Sequence, residues 1–205
     1  MIAAVMCGGK GIRLQCEGTE KPLIVLKGKA MIEYVLDALI HSQKFRRIIA
    51  VSSHFCSKTT SFLYDHPYYS DGLIDVIETK GASYSEDLSS ILSKLKLGNI
   101  LTVSADLPLL NSKIVDQIII HNIPRFSCIS IILEKRFVEN IGVTPSVVFN
   151  IGSQHYCHSG ITIFNSPNFK EHRNIREYFI LMNKREIAVN VNTIKELKLA
   201  ERLLS

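Results

Sequence analysis

A chain of 205 residues, 46% hydrophobic and 21% charged, carries enough apolar material for one good-sized core and is expected to form a single domain over 1–205. Its net charge of +5 is mild and unclustered, which argues against nucleic acid as a partner and suits a small anionic ligand. No apolar run approaches the roughly 18 residues of a membrane span, Met1 leads into a strand without a secretory leader, and five scattered cysteines without C-x-x-C fit reduced thiols in a cytoplasmic protein.

Ile2 to Val5 reads as a buried first strand. Met6-Cys7-Gly8-Gly9-Lys10-Gly11-Ile12-Arg13-Leu14 follows, closed by Lys21-Pro22-Leu23. Three glycines within four positions let the backbone turn tightly and approach a ligand. Free N–H groups in such a turn cradle phosphate oxygens. Lys10, Arg13 and Lys21 add cations, Arg as a planar fork and Lys as a point charge. Strand, glycine turn and cations together ask for a polyphosphate. A Walker loop would need Gly-Lys-Ser/Thr, and a dinucleotide fingerprint G-x-G-x-x-G; the chain has neither here.

Next, Ile32, Val35, Leu36 and Leu39 recur at helical spacing. Ile48 to Val51 is a second strand ending in Ser52-Ser53-His54, and Thr59 to Tyr64 a short helix. Asp65 to Gly72 reads as loop, in which Tyr68 and Tyr69 are either packing or a lip for a large ligand. Leu73 to Ile77 is a third strand. Gly81 precedes a helix with Ser83 and Glu86 at capping-box spacing. Asn99 to Val103 is a fourth strand, ending in Ser104-Ala105-Asp106-Leu107-Pro108. Ser112 to Ile120 predicts a helix and Cys128 to Leu133 a strand. Gly142 to Gly152 suggests a hairpin arm, and Ile161 to Phe164 a strand entered through His158-Ser159-Gly160. His155, Cys157 and His158 lack a second ligand pair and read as ordinary strand residues rather than a zinc site. Ile175 to Met182 predicts a helix, Ile187 to Val191 a strand, and Thr193 with Glu196 the cap of a last helix whose Leu197, Ala200 and Leu204 face inward.

Alternation of strand and helix predicts an α/β fold with a mostly parallel central sheet and helices on both faces. Ligands in such sheets sit beyond the carboxyl ends of the strands. The polar clusters at Gly8, Ser52, Gly81 and Asp106 all follow predicted strands, which points to one shared cleft.

The glycine stretch resembles the G-G-x-G-x-R…K-P-L signature of nucleotidyltransferases with a Rossmann-like fold. Ser104-Ala105-Asp106-Leu107-Pro108 resembles their acidic motif, and Asn190-Val191-Asn192-Thr193-Ile194-Lys195-Glu196-Leu197 their terminal N-x-N-T-x-x-D/E-L element. That element occurs in molybdenum-cofactor guanylyltransferases and in archaeal-type GTP:adenosylcobinamide-phosphate guanylyltransferases. Gly81 through Tyr84-Ser85-Glu86-Asp87-Leu88, Ser112-Lys113-Ile114-Val115 and Leu197-Lys198-Leu199-Ala200-Glu201 look like the second family. The chain departs from the pattern in the longer segment between Arg13 and Lys21 and in Cys7, where Ala is usual.

The resemblance implies GMP transfer from GTP to adenosylcobinamide phosphate, with Mg²⁺ as cofactor. GTP and the corrinoid phosphate are then the partners, with no nucleic acid and no membrane span, and a homodimer is compatible with it. It implies that Cys7, Gly8, Gly9, Lys10 and Gly11 surround the nucleotide phosphates. Arg13 is placed on the leaving phosphates, Lys21 on the α-phosphate and Asp106 on the metal. Ser52 and Gly81 are candidates for base and ribose, and Glu86 or Asp87 for the guanine edge, although Ser83 and Glu86 also suit a plain helix cap. Two readings stay open for Gly160, close approach of the acceptor or a strand bulge. Two stay open for Asn190 and Asn192, which in extended geometry lie on one side opposite Val191: reach to metal or phosphate, or a cap of the last helix. Rival functions are nucleotidyl transfer to molybdopterin or a sugar phosphate, and nucleotide sensing without catalysis.

Overall fold

The computed structural model describes residues 1–8, 18–81, 83–95, 98–165 and 177–204, with the backbone alone at 94 and 95. Gly9, Lys10, Gly11 and Arg13 fall outside the described residues. In chain order the elements are β1 (Ile2–Met6), a small antiparallel pair β2 (Val25–Leu26) and β3 (Lys29–Ala30), α1 (Met31–Ser42), β4 (Arg47–Ser53), α2 (Ser57–Tyr64), α3 (Pro67–Ser70) and β5 (Asp75–Thr79). They continue with α4 (Tyr84–Leu95), β6 (Asn99–Ser104), α5 (Ser112–Ile119), β7 (Cys128–Glu134), α6 (Lys135–Asn140), β8 (Val148–Ile151), β9 (Gln154–Asn165), β10 (Glu177–Leu181), α7 (Arg185–Ala188) and α8 (Ile194–Leu203).

The main sheet has the order β10-β7-β9-β6-β1-β4-β5, with β8 paired to β9. Strand β1 is buried at every position and pairs in parallel with β4 and β6, as a continuous apolar run of this length should. β9 runs antiparallel to β6, β7 and β8, and the sheet is otherwise parallel, the mostly parallel arrangement expected from the sequence. A two-residue turn at Gly152-Ser153, with Gly152 at φ +60°, closes the β8–β9 hairpin.

Two cores flank the sheet. The larger joins Ala3, Val5, Leu101, Val103, Ile129, Ile131, Ile161 and Ile163 to side chains of α1, α2, α5, α6, α7 and α8. The smaller joins Ile2, Ala4, Met6, Ile49, Val51 and Ile100 to Ile91 of α4. The alternation is the period-two rule acting on strands buried on both sides. Helices therefore cover both faces, but among the described residues α4 alone serves the second.

Three expectations need correction. The segment read as a helix over 175–182 is, where described, the strand β10, paired in parallel with β7 from Glu177↔Cys128 to Leu181↔Ile132. Tyr178, Phe179 and Met182 mimic a helical stripe by spacing, but Glu-Tyr-Phe-Ile-Leu is rich in aromatic and β-branched residues that fit a sheet edge. The segment read as a strand over 187–191 is instead the helical turn α7 followed by extended chain. The Ile187 and Ala188 N–H groups both donate to the Lys184 carbonyl, and a short apolar run carries no period that could tell the two apart. Within the predicted loop 65–72, Pro67 opens the single turn α3, capped by the His66 ring, which accepts the Tyr68 N–H.

Candidate active site

β1, β4, β5 and β6 are mutually parallel, so the segments after them gather at one edge of the sheet. Gly8 follows β1 and is exposed. Cys7 is buried and still strand-like: its N–H donates to the Val51 carbonyl at 2.8 Å, its thiol points to the Val5 carbonyl, and burial pushes that thiol far above its ordinary value. It supports the loop from below and offers the cleft no side chain.

Lys21 opens the single 3₁₀ turn Lys21–Leu23, in which Pro22 is buried and fixes the backbone. Its ammonium pairs with Asp106 Oδ2 and donates to Asn192 Oδ1 at 2.8 Å. Asn192 Nδ2 in turn donates to Asn190 Oδ1 at 2.6 Å. Three segments far apart in sequence thus converge on one largely buried cation. Val191 is fully buried between the asparagines, and its N–H donates to the Asp106 carbonyl at 3.0 Å. Both asparagines therefore lie on one side although the segment is not a strand. Thr193, not an asparagine, caps α8, its hydroxyl accepting the Glu196 N–H.

Asp106 Oδ1 is buried without a hydrogen-bond partner. A naked carboxylate oxygen in such a place is costly unless something cationic faces it. Among the described residues no cluster of three or more His, Cys, Asp or Glu side chains could enclose a metal ion. One carboxylate oxygen does suit Mg²⁺, which takes one or two protein carboxylates and fills its shell with phosphate oxygens and water. The residues present fit that ion.

Gly160 faces the same group. It has φ +84°, and a Cβ there would lie 3.1 Å from Ser104 and 3.7 Å from Asn190 Nδ2. It also sits in the bulge where the β7–β9 register shifts between Ser130 and Ile132. The two readings of Gly160 are thus compatible, since bulges commonly re-aim a strand beside a site.

The α4 end of the cleft is arranged differently. Gly81, at φ +68°, is clamped against Phe55 and Ser53. Asp87 is buried, accepts the Gly81 N–H on Oδ1 at 3.1 Å and turns Oδ2 toward Gly8. Glu86 is exposed, and its N–H is taken by the Ser83 hydroxyl at 3.2 Å. Tyr84 is half exposed, but its hydroxyl reaches inward to Thr102; burial there and the Asp106 charge push the phenol up, against the hydrogen bond to Thr102. Ser52 is not brought to the cleft. Its hydroxyl meets Thr60 at 2.5 Å and leans on the Cys56 carbonyl, holding α2 to the sheet.

Two carboxylates position this group; Glu20 was missed from sequence, and Glu196 was read there only as the cap partner of Thr193. Glu20 accepts the Lys58 and Thr59 N–H groups, at 2.9 and 2.7 Å, and so ties the residue before Lys21 to the start of α2. Glu196 is buried and accepts the Asn192 N–H at 2.7 Å and the Thr144 N–H at 3.1 Å. The N-x-N-T-x-x-E spacing was a signal for Glu196, although its partner is the Asn192 amide rather than the Thr193 amide of a capping box. For Glu20 no local pattern exists, since its partners lie 38 and 39 positions away.

Comparison with known proteins agrees with this layout. Residues 3–125 match the family model described as the MobA-like NTP transferase domain. The chain is 33% identical over 210 residues to an adenosylcobinamide-phosphate guanylyltransferase of Methanocaldococcus jannaschii, covering all of this chain and 97% of that protein. It is 30% identical over 132 residues to a probable molybdenum cofactor guanylyltransferase of Pyrococcus horikoshii, over 63% of this chain and 61% of the relative. A 4-diphosphocytidyl-2C-methyl-D-erythritol synthase structure from Anaerococcus prevotii superposes with a TM-score of 0.68 at 12% identity, over 99% of this chain and 97% of that one, and speaks for the fold alone. Fold, cleft and full-length likeness together make this chain a member of the MobA-like NTP transferase family, and within it of the adenosylcobinamide-phosphate guanylyltransferases.

Proposed function

We propose that the protein transfers GMP from GTP to adenosylcobinamide phosphate. The observation that carries this reading is the convergence of Lys21, Asp106 and Asn192 at the carboxyl edge, in a chain similar from end to end to an adenosylcobinamide-phosphate guanylyltransferase. An oxygen of the acceptor phosphate bonds to the α-phosphorus of GTP. The bond from that phosphorus to the α–β bridging oxygen breaks, and pyrophosphate leaves with the electron pair. The nucleophile is already anionic, so no general base is assigned. The chain's task is positioning and charge neutralisation.

Gly8, Gly9 and Gly11 give N–H groups to the triphosphate, and Lys10 and Arg13 hold the phosphates that leave. Lys21, kept in place by Asn192 and by the Glu20 staple, meets the charge that grows at the α-phosphate. Asp106 Oδ1 would hold Mg²⁺, and Asn190 and Asn192 are the further side chains near enough to assist. When bound, that ion supplies charge neutralisation to the phosphates. Asp87 has one oxygen on Gly81 and the other toward Gly8, so Glu86, without a side-chain partner among the described residues, is the carboxylate left to pair with the guanine N1–H and N2–H₂ edge.

Transfer to molybdopterin is the rival, supported by the partial likeness to molybdenum cofactor guanylyltransferases. Incubation with GTP, Mg²⁺ and each acceptor in turn, with pyrophosphate release as the readout, separates them. Release with adenosylcobinamide phosphate is expected; release with molybdopterin alone would overturn the proposal.

A further inference from the structure

Beyond Gly160, β9 and its neighbours carry a group of rings that the nucleotide chemistry does not use. Phe149 of β8 lies 4.8 Å from the ring of His158 and 6.3 Å from that of Tyr156, both on β9, and 5.1 Å from Phe179 of β10. The strand register explains the gathering. Phe149 pairs across from Tyr156, and His158 and Gly160 follow at period two on the same sheet face. All four rings are half-buried, and at the rim Ile151 and Leu181 are exposed, at 44% and 47%.

The patch is continuous with the cleft. Gly160, two residues beyond His158, faces Ser104 and Asn190 of the cleft directly. At about 3.3 Å per residue, His158 stands ~7 Å and Tyr156 ~13 Å along the strand from Gly160. A ligand with its phosphate at Gly160 and Ser104 would thus lay whatever the phosphate is attached to across these rings. Such rings offer dispersion contacts to methyl groups and other apolar parts of a bulky partner.

We infer that Phe149, Tyr156, His158 and Phe179 form an apolar wall for the body of the acceptor, a bulky macrocycle tethered to the phosphate that reacts. This rests on the reading that the acceptor is adenosylcobinamide phosphate, whose corrin edge carries methyl groups among its amide side chains. The wall recognises the macrocycle, and the Gly160 bulge admits the phosphate.

The test uses the full chain and two variants. Ile151→Glu sets a charge on the exposed rim without entering the packing, and Phe149→Leu removes a ring face while keeping most of its volume. Affinity for adenosylcobinamide, which lacks the phosphate, is measured by equilibrium dialysis, alongside the acceptor KM and the affinity for GTP. Both variants are expected to lose about tenfold in corrinoid affinity and in acceptor KM, the size of one ring's contacts. GTP affinity should stay within about twofold, which also reports that the variants fold. Wild-type corrinoid affinity in both variants, with the wild-type enzyme active, would overturn the apolar wall and leave the functional reading standing. A wild-type chain that neither binds nor guanylylates the corrinoid overturns both. Loss of affinity together with a dimer-to-monomer change in sedimentation would make the patch a contact between copies and overturn the inference.

Discussion

Lys21 has two anchors in the free chain, the Asp106 carboxylate and the Asn192 amide. Lys21→Ala should lower kcat by about 10²–10³, as loss of a transition-state charge partner does, with a smaller change in GTP affinity; a change confined to KM would refute the role. Asp106→Asn should leave the fold intact, because its carbonyl still receives Val191 and an amide oxygen can still receive Lys21. It should lose most Mg²⁺-dependent turnover, since a neutral amide is a poor ligand for a hard cation. A Mg²⁺ titration of pyrophosphate release measures it, and wild-type turnover at limiting Mg²⁺ would remove Asp106 from the metal site. These side chains were legible because each stands in a short motif, Lys21-Pro22-Leu23 for the lysine and Ser104-Ala105-Asp106-Leu107-Pro108 at the end of β6 for the carboxylate. Glu20 was not, because its worth comes from two N–H groups that only the folded chain brings near.

Among elements, the turns differ in what they ask of glycine. Gly18 has φ +76° and open space around the missing Cβ; Gly81 would put a Cβ 2.7 Å from the Phe55 ring; Gly160 would put one 3.1 Å from Ser104. Alanine at Gly18 should cost only the backbone term, about 1–2 kcal/mol. Gly160→Ala should cost somewhat more, and Gly81→Ala the most, at ~3 kcal/mol or above, because both ring and serine must move. Denaturant midpoints order the three; equal losses would show that packing adds nothing. Sequence patterning found β1, β4, β6 and β7 as continuous apolar runs buried on both faces, and α1 and α5 as one-sided apolar stripes. It failed at β10 and α7, where a few apolar residues fit either period and pairing with β7 or packing against the larger core decides.

At the scale of the molecule, ligand and fold are linked. A nucleotide that binds only the folded chain stabilises it by about 2.7 kcal/mol at 100-fold excess over Kd, roughly 5–11 °C for a chain of this size. Thermal melts should rise by that order with GTP and Mg²⁺, clearly less with ATP, and less after chelation of the metal. Equal shifts with GTP and ATP would deny the chain a guanine preference. The parallel half of the sheet was readable as a nucleotide cleft, while the antiparallel β9, which carries Gly160 and two rings of the aromatic patch, showed only its apolar end. The link between Lys21 and Asn192 spans 171 positions of the chain. At about 5–20 residues per second, the ribosome makes Asn192 some 9–34 s after Lys21. During that interval the nascent protein can fold its first strands, yet Lys21 lacks the amide that holds it. Nucleotide transfer is therefore expected to stay off until translation has run almost to the last helix, and a prematurely terminated product is expected to be inert rather than a leaky transferase.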